Sequence, residues 1–308
     1  KKGNVPYGTI TSFDESLFDF GQLVVGSDDG LIHITKNGGD VWTCISETLP
    51  QNLWVSRVQF SAHSPSRIYA TLNGYRWDDF TPYVFVSDDL GVSWRNISAN
   101  LPSSPVNVIR EDVTNEELLY LGTDNGLYIS INKGTDWQLF DSDMPRVAVH
   151  DLFIQKAAND LLVGTHGRSI YLLDLEAVQQ LPKLVQQPFA ILQPKTQKYS
   201  KRWGQKSRVW YDAYTPKFEW TFFSQTQTDG VWTLTSEKGV VVYEEAVKLS
   251  KGIQKISYEL FMQSDAIKSY NRKHKTELTP SADGRVYLPK GTYAILWNDE
   301  LQTTLIIE

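Results

Sequence analysis

The 308-residue sequence predicts an all-β chain in two parts, β-propeller blades over residues 1–180 and a β-sandwich over 189–308. Three observations predict it. A turn motif recurs at roughly the 40–50-residue spacing of a four-stranded blade. Strand-like segments succeed one another in the same order around every copy of the motif. From Phe189 onward apolar and polar residues alternate with no further copy.

The motif is [ST]-x-[DN]-x-G-x-x-W, matched from Thr35 to Trp42, from Ser87 to Trp94 and from Ser130 to Trp137. A Ser/Thr hydroxyl and an Asp/Asn side chain two residues apart suit the backbone N–H groups of a tight turn, and the Gly supplies a positive φ. The Trp is expected to fold back and bury its ring beneath its own turn. This accounts for part of the excess of Trp, of which the chain has 10.

In chain order, first and second strands read as YGTITSF and LVVGSDDG, WVSRVQF and IYATLNG, NVIREDV and LYLGTDNG, and VAVHDLF and LLVGTHG. Third strands read as GLIHIT, YVFVS, GLYIS and RSIYLLD. Fourth strands after the motif read as CIS, RNIS and QLF. The last unit has neither motif nor fourth strand; DLEAVQQLPKLVQQP reads instead as a short helix leading into a linker at 181–188. Beyond it, SRVWYDAY, KFEWTFF, VWTLTS, VVVYEEA, KISYEL, GRVYLP, TYAILW and TTLIIE read as the strands of the sandwich, with MQSDAIKSYNRK as a helix among them.

Composition excludes several functions. A net charge of −6 with no Lys/Arg-rich run gives no electrostatic footprint for nucleic acid or an anionic membrane. No apolar run approaches the roughly 20 residues of a membrane-spanning helix. Cys44 is the only cysteine, so neither an intrachain disulfide nor a cysteine-based zinc site can form. None of the five histidines makes an H-x-H or H-E-x-x-H pair, GTHGRS lacks a following G-K-[ST], and G-x-S-x-G is absent. No cofactor or metal is expected. Asn96-Ile97-Ser98 is an isolated N-x-S sequon.

The first strand of a blade lines the propeller channel, and the loops at its ends form the mouth. Aligning the blades on Gly26, Ala70, Gly122 and Gly164 brings together Arg57 after Trp54, then Arg110, Glu111 and Asp112, then His150 and Asp151. His166 and Arg168 in GTHGRS join them, as do Arg76 and Asp78 in the long loop before Tyr83. Arginines among carboxylates can hold a carboxylate ligand through a bidentate fork. They can equally pair with one another in a purely structural role.

The repeat resembles the Asp box, or bacterial neuraminidase repeat, of sialidases, sortilin-type ectodomains and many secreted bacterial propellers. Strings such as VGSDDGLIHITKNGGDVW, NGYRWDDFTPYVFVSDDLGVSW and PVNVIREDVTNEELLYLGTDNGLYIS resemble the last blades of large bacterial propellers often called glycosyl hydrolases. The C-terminal part resembles the immunoglobulin-like modules appended to such proteins, without their Cys-Trp-Cys signature. The resemblance implies an exported protein, periplasmic or at the cell surface, that binds a protein, peptide or glycan. It also implies that the chain is the C-terminal part of a larger propeller whose earlier blades are its partner. The last unit's three strands and the short polar KKGNVP lead to the same expectation of an open arc. The alternative is a sialidase-like glycoside hydrolase drawing on Arg57, Arg76, Arg110, Arg168, Tyr83, Glu111 and Asp78, although the Arg-Ile-Pro segment of that family is absent.

Overall fold

Every copy of the motif forms the turn between the third and fourth strands of an antiparallel sheet. Blade 1 comprises β1 (Ile10–Glu15), β2 (Leu23–Ser27), β3 (Ile32–Thr35) and β4 (Thr43–Cys44). Blade 2 comprises β5 (Trp54–Phe60), β6 (Ile68–Gly74), β7 (Asp79–Ser87) and β8 (Arg95–Asn96). Blade 3 comprises β9 (Val106–Glu111), β10 (Leu119–Thr123), β11 (Gly126–Ser130) and β12 (Gln138–Leu139). Among the described residues blade 4 has only β13 (Val149–Gln155), β14 (Asp160–Thr165) and β15 (Ile170–Asp174). The computed structural model describes residues 7–140, 144–192 and 196–308, and the chain divides into two units, Lys1–Pro182 and Lys183–Glu308. Residues 1–6, which are not expected from the sequence to supply the missing fourth strand, lie outside the described residues.

The motif's polar residues act as its chemistry requires. In blade 2, Ser87 Oγ accepts from Gly91 N at 2.7 Å and Asp89 Oδ1 accepts from Ser93 N at 2.9 Å. In blade 3, Ser130 Oγ and Asn132 Oδ1 accept from Gly134 N and Asp136 N at 2.8 and 2.9 Å. In blade 1, Thr35 Oγ1 and Asn37 Oδ1 accept from Gly39 N and Val41 N at 3.1 and 3.0 Å. The Trp residues behave otherwise than expected. Trp137 is buried, Trp94 half-buried and Trp42 exposed. The reason is that the ring reaches back to the preceding blade instead of under its own turn: Trp94 Nε1 donates to Ile45 O at 2.7 Å and Trp137 Nε1 to Ile97 O at 2.6 Å.

Inner strands are stitched to their successors by side chain–backbone hydrogen bonds. Ser12 Oγ accepts from Val58 N at 2.9 Å, and Asp14 Oδ2 accepts from Phe60 N at 2.8 Å. Ser56 Oγ donates to Val106 O at 2.8 Å, and Asn107 Nδ2 to Val149 O at 3.2 Å. Burial obeys this order. The second strands β6 and β10 of the middle blades are buried on both faces, whereas β2 and β14 alternate, and the blade 4 edge strand β15 exposes Ile170 and Leu172. The end blades therefore each bury a single face, and blade 4 shows Phe153, Ile170 and Leu172 on its outer one.

The second unit is a sandwich of two antiparallel sheets. One has the order β16 (Phe189–Ile191), β17 (Phe218–Ser224), β20 (Gly252–Tyr258); the other runs β19 (Val241–Leu249), β18 (Thr228–Ser236), β21 (Gly291–Trp297), β22 (Glu300–Ile307). The core between them is aromatic: Trp220, Trp232, Phe222, Tyr258 and Tyr293 are almost wholly buried. Trp220 and Trp232 thus account for a further part of the Trp excess. The helix expected near residue 262 is α2 (Ser264–His274), and α1 (Leu181–Leu184) comes after a short 3-10 turn at Val178–Gln180. Two expected strands are not strands. SRVWYDAY is a loop closed by one bridge, Lys206 to Ala213, with Val209, Trp210 and Tyr211 exposed, and GRVYLP makes a single bridge, Tyr287 to Phe261. Aromatic and β-branched residues give both segments strand-like composition, but each makes only an isolated bridge and joins no sheet.

Candidate functional site

At one end of the blades the inner strands begin and the second-to-third-strand turns project. This end is the mouth. In blades 1 and 3 the turn is tight, at Asp28–Gly30 and Asp124–Asn125. In blade 2 it is a loop, a single 3-10 turn over Tyr75–Trp77 closed by Asp78, whose φ of 56° is left-handed and whose N–H donates to Tyr75 O. Asp79 fixes the loop's return by accepting from Thr81 N at 2.9 Å and Tyr83 OH at 2.8 Å. The Thr81 hydrogen bonds hold the Asp79 carboxyl below its usual range.

This loop and the first residues of β7 carry exposed aromatic rings. Tyr75, Trp77 and Phe80 are 59%, 56% and 44% exposed. Tyr75 and Phe80 meet edge to face with centroids 6.2 Å apart, and the Arg76 guanidinium lies 5.2 Å from the centroid of the half-buried Trp54 ring. Trp54 Nε1 is a buried donor without an acceptor. The cluster thus offers ring faces, ring edges and one cation on a preformed frame. His150 and His166 sit at the same end of blade 4, both exposed, with ring centroids 5.2 Å apart; Arg168 is exposed beside them.

The channel residues engage one another. Arg57 Nη2 lies 2.6 Å from Asp151 Oδ1, so that an arginine of blade 2 meets a carboxylate of blade 4. Arg110 Nε donates to Leu152 O at 3.1 Å; burial first, and then the Arg57 charge, lower its pKa. Burial also raises the Asp14 carboxyl above its ordinary range, against the opposing effects of the Phe60 N–H and Arg110.

Glu111 belongs elsewhere. It ends β9 at the opposite end from the mouth and is 2% exposed. There it accepts from Ser61 Oγ at 2.7 Å, Ala62 N at 2.6 Å and Tyr69 OH at 2.8 Å. Burial and then the Glu111 charge push the Tyr69 hydroxyl far above its usual pKa. Asp112 beside it accepts from Tyr120 OH at 2.9 Å and Gln179 Nε2 at 3.0 Å. Both carboxylates seal the foot of the blades.

Of the residues expected at the site, Trp54, Arg76 and Asp78 come together at the mouth on blade 2, and His150, His166 and Arg168 on blade 4. Arg57 and Arg110 lie in the channel, while Glu111 is separated from all of these by the length of its strand. The sialidase-like set therefore does not converge: Glu111 faces the foot while Asp78 is at the mouth, and Tyr83 donates to Asp79. Sequence reasoning singles out the charged residues of this loop and misses Tyr75, Trp77 and Phe80 between them. The available signal is the length of the blade 2 hairpin beyond the pair Ala70 and Phe85, which exceeds those beyond Gly26 and Ile32 in blade 1 and Gly122 and Leu127 in blade 3. Among the described residues no group of three or more His, Cys, Asp or Glu side chains could hold a metal ion. No helix among them is long and apolar enough to cross a membrane.

These sheets and seams define an arc of β-propeller blades. No protein-family model matches the chain, and no curated protein matches it. Among solved structures it is similar to YCF48 bound to a D1 peptide, with 15% identity over 54% of each chain and a TM-score of 0.39. It is similar to YCF48 from Cyanidioschyzon merolae, at 16% identity over 55% of this chain and 57% of that one, TM-score 0.37. It is also similar to a GH74 xyloglucanase from Xanthomonas campestris, at 11% identity over 96% of this chain and 47% of that one, TM-score 0.43. The chain spans about half the length of these structures. The propeller assignment itself rests on the four sheets described above.

Proposed function

We propose that the chain is a binding or scaffolding protein whose mouth takes a protein or peptide through the Trp54–Tyr75–Arg76–Trp77–Phe80 cluster. The observation that carries this reading is the exposure of three aromatic side chains on a loop and the start of β7, which Asp79 ties together by its hydrogen bonds. Rigid Trp and Tyr rings supply contact area at little entropic cost, and Trp, Tyr and Arg dominate binding hot spots. A glycan stacking on the same rings is the neighbouring reading. Of the carboxylates named for the glycoside-hydrolase alternative, Glu111 and Asp78 lie at opposite ends of the blades.

The proposal extends to context. We place the protein outside the cytoplasm, in the periplasm or at the cell surface, as a relative of sortilin-type Asp-box propellers in which further blades continue the arc; fractionation of the native source tests the location. The mouth is tested by selecting binders from a random peptide library and a glycan array with the full chain and its Tyr75→Ala/Trp77→Ala variant. Peptides that bind the wild type at least ten-fold more tightly than the variant are expected. Binding indifferent to both rings would remove the cluster from the function, and turnover of fluorogenic aryl glycosides would reinstate the hydrolase.

A further inference from the structure

Blades 2 and 3 grip their predecessors in the same way. Trp94 Nε1 and Trp137 Nε1 donate to the carbonyls of Ile45 and Ile97, each the residue directly after the fourth strand of the blade before. The motif glycine presses on the side chain of that same isoleucine. A Cβ on Gly91 would stand 2.6 Å from Ile45 Cδ1, and one on Gly134 would stand 2.8 Å from Ile97 Cδ1. One isoleucine thus serves twice, with its side chain under the glycine and its carbonyl on the indole.

Blade 1 carries the same turn with the same internal hydrogen bonds, but among the described residues its grip holds no partner. Trp42 is 40% exposed and makes no hydrogen bond among the described residues, and a Cβ on Gly39 would meet only the Trp42 ring, 3.7 Å away. Val41 beside it is exposed, as is Phe13 on the outer face of β1. We propose that this edge of blade 1 is the docking surface for a further four-stranded blade that precedes it in the same polypeptide. That blade's fourth strand is followed by a β-branched residue that packs on Gly39 and offers its carbonyl to Trp42 Nε1. The occupant is set by continuity with the two seams already formed, in which each grip faces the blade preceding it in sequence. This inference rests on the reading that further blades continue the arc, and adds the residues that receive the next one.

The test uses the full chain with a copy of residues 54–101 fused ahead of Lys1, so that the added copy brings its own Ile97. The readout is exchange of the Trp42 indole proton, assigned with Trp42→Phe. Exchange slowed at least ten-fold in the fusion, and restored by Ile97→Asp in the added copy alone, is the expected result. If the added blade melts together with the rest while Trp42 exchanges as before, the grip is wrong although the arc does continue. If the added blade stays protease-sensitive and separate, the reading of a continuing arc itself fails. Slow exchange in the unfused chain that depends on protein concentration would assign the edge to a second copy. Independently of any fusion, Trp137→Ala should lower the melting midpoint of the first unit by about 10 °C and Trp42→Ala by only about 2 °C. Equal losses would show that Trp42 is already packed and would overturn the proposal.

Discussion

Replacing the motif glycine by alanine separates the seam from the turn. Gly39, Gly91 and Gly134 have φ values of 104°, 86° and 83°, so an alanine at any of them carries the left-handed penalty of about 1–2 kcal/mol. At Gly91 the new methyl would also stand 2.6 Å from Ile45 Cβ and Cδ1, and overpacking of this kind costs about 1–3 kcal/mol more. Gly91→Ala should therefore destabilise the first unit by about 2–5 kcal/mol and Gly39→Ala by about 1–2 kcal/mol, the excess belonging to the seam. Ile45→Ala should absorb that excess, so in its background Gly91→Ala costs no more than Gly39→Ala does in the wild type. Equilibrium urea unfolding read by deuterium exchange of peptides from residues 68–87 tracks the first unit alone. Costs for Gly91→Ala and Gly39→Ala that agree within about 0.5 kcal/mol, or no coupling between Gly91→Ala and Ile45→Ala, would refute the argument.

Two further outcomes are expected. Glu111→Ala strands three donors, Ser61 Oγ, Ala62 N and Tyr69 OH, in a buried seam and should cost about 3–5 kcal/mol in the same unfolding assay, with Glu111→Gln well below it. The Asp89 carboxyl, held down to about 2 mainly by the Ser93 hydroxyl and N–H, binds protons less readily folded than unfolded. Its stabilisation is therefore complete above the unfolded value of 3.8 and is lost as pH falls toward 2. Carbon-13 titration of its carboxyl should show the low midpoint, and the stability gap between wild type and Asp89→Asn should close across that window.

The blades are legible in the sequence because their signals are local. The motif, the glycines and the alternating strands each act within a few residues, and the three turns form the hydrogen bonds their side chains dictate. The placement of Trp42, Trp94 and Trp137 is not legible, because one motif yields three burial states and the difference lies in the preceding blade, about 40–50 residues away. Glu111 and Arg110 are adjacent in sequence and read there as one cluster. Strand pleat and position send one to Tyr69 at the foot and the other to Leu152 O in the channel. The exposed rings at Tyr75, Trp77 and Phe80 are masked by the usual place of aromatic residues in a core, although their loop is long enough to lift them out of it.

The second-strand glycines complete the seam and give it a direction. A side chain on Gly26 would strike Val55, and one on Gly122 would strike Val149; each of these valines lies on the inner strand of the following blade, while Gly164 of blade 4 has only its own Asp151 nearby. Blades 2 and 3 thus hold their predecessors with an indole, while blades 1 and 3 receive their successors at a bare backbone, and these are different surfaces. Such a contact is heterologous, so it adds units head to tail and ends only when a ring closes or a dissimilar unit intervenes. Self-association through these surfaces would produce growing chains and no two-fold dimer. Blade 4 has no motif with which to hold blade 3 and, among the described residues, no fourth strand, so any unit added at that end would meet Gly164 and the face of Phe153, Ile170 and Leu172. The two ends of the arc consequently present different surfaces, Gly39 and the Trp42 indole at one and the apolar side chains of Phe153, Ile170 and Leu172 at the other.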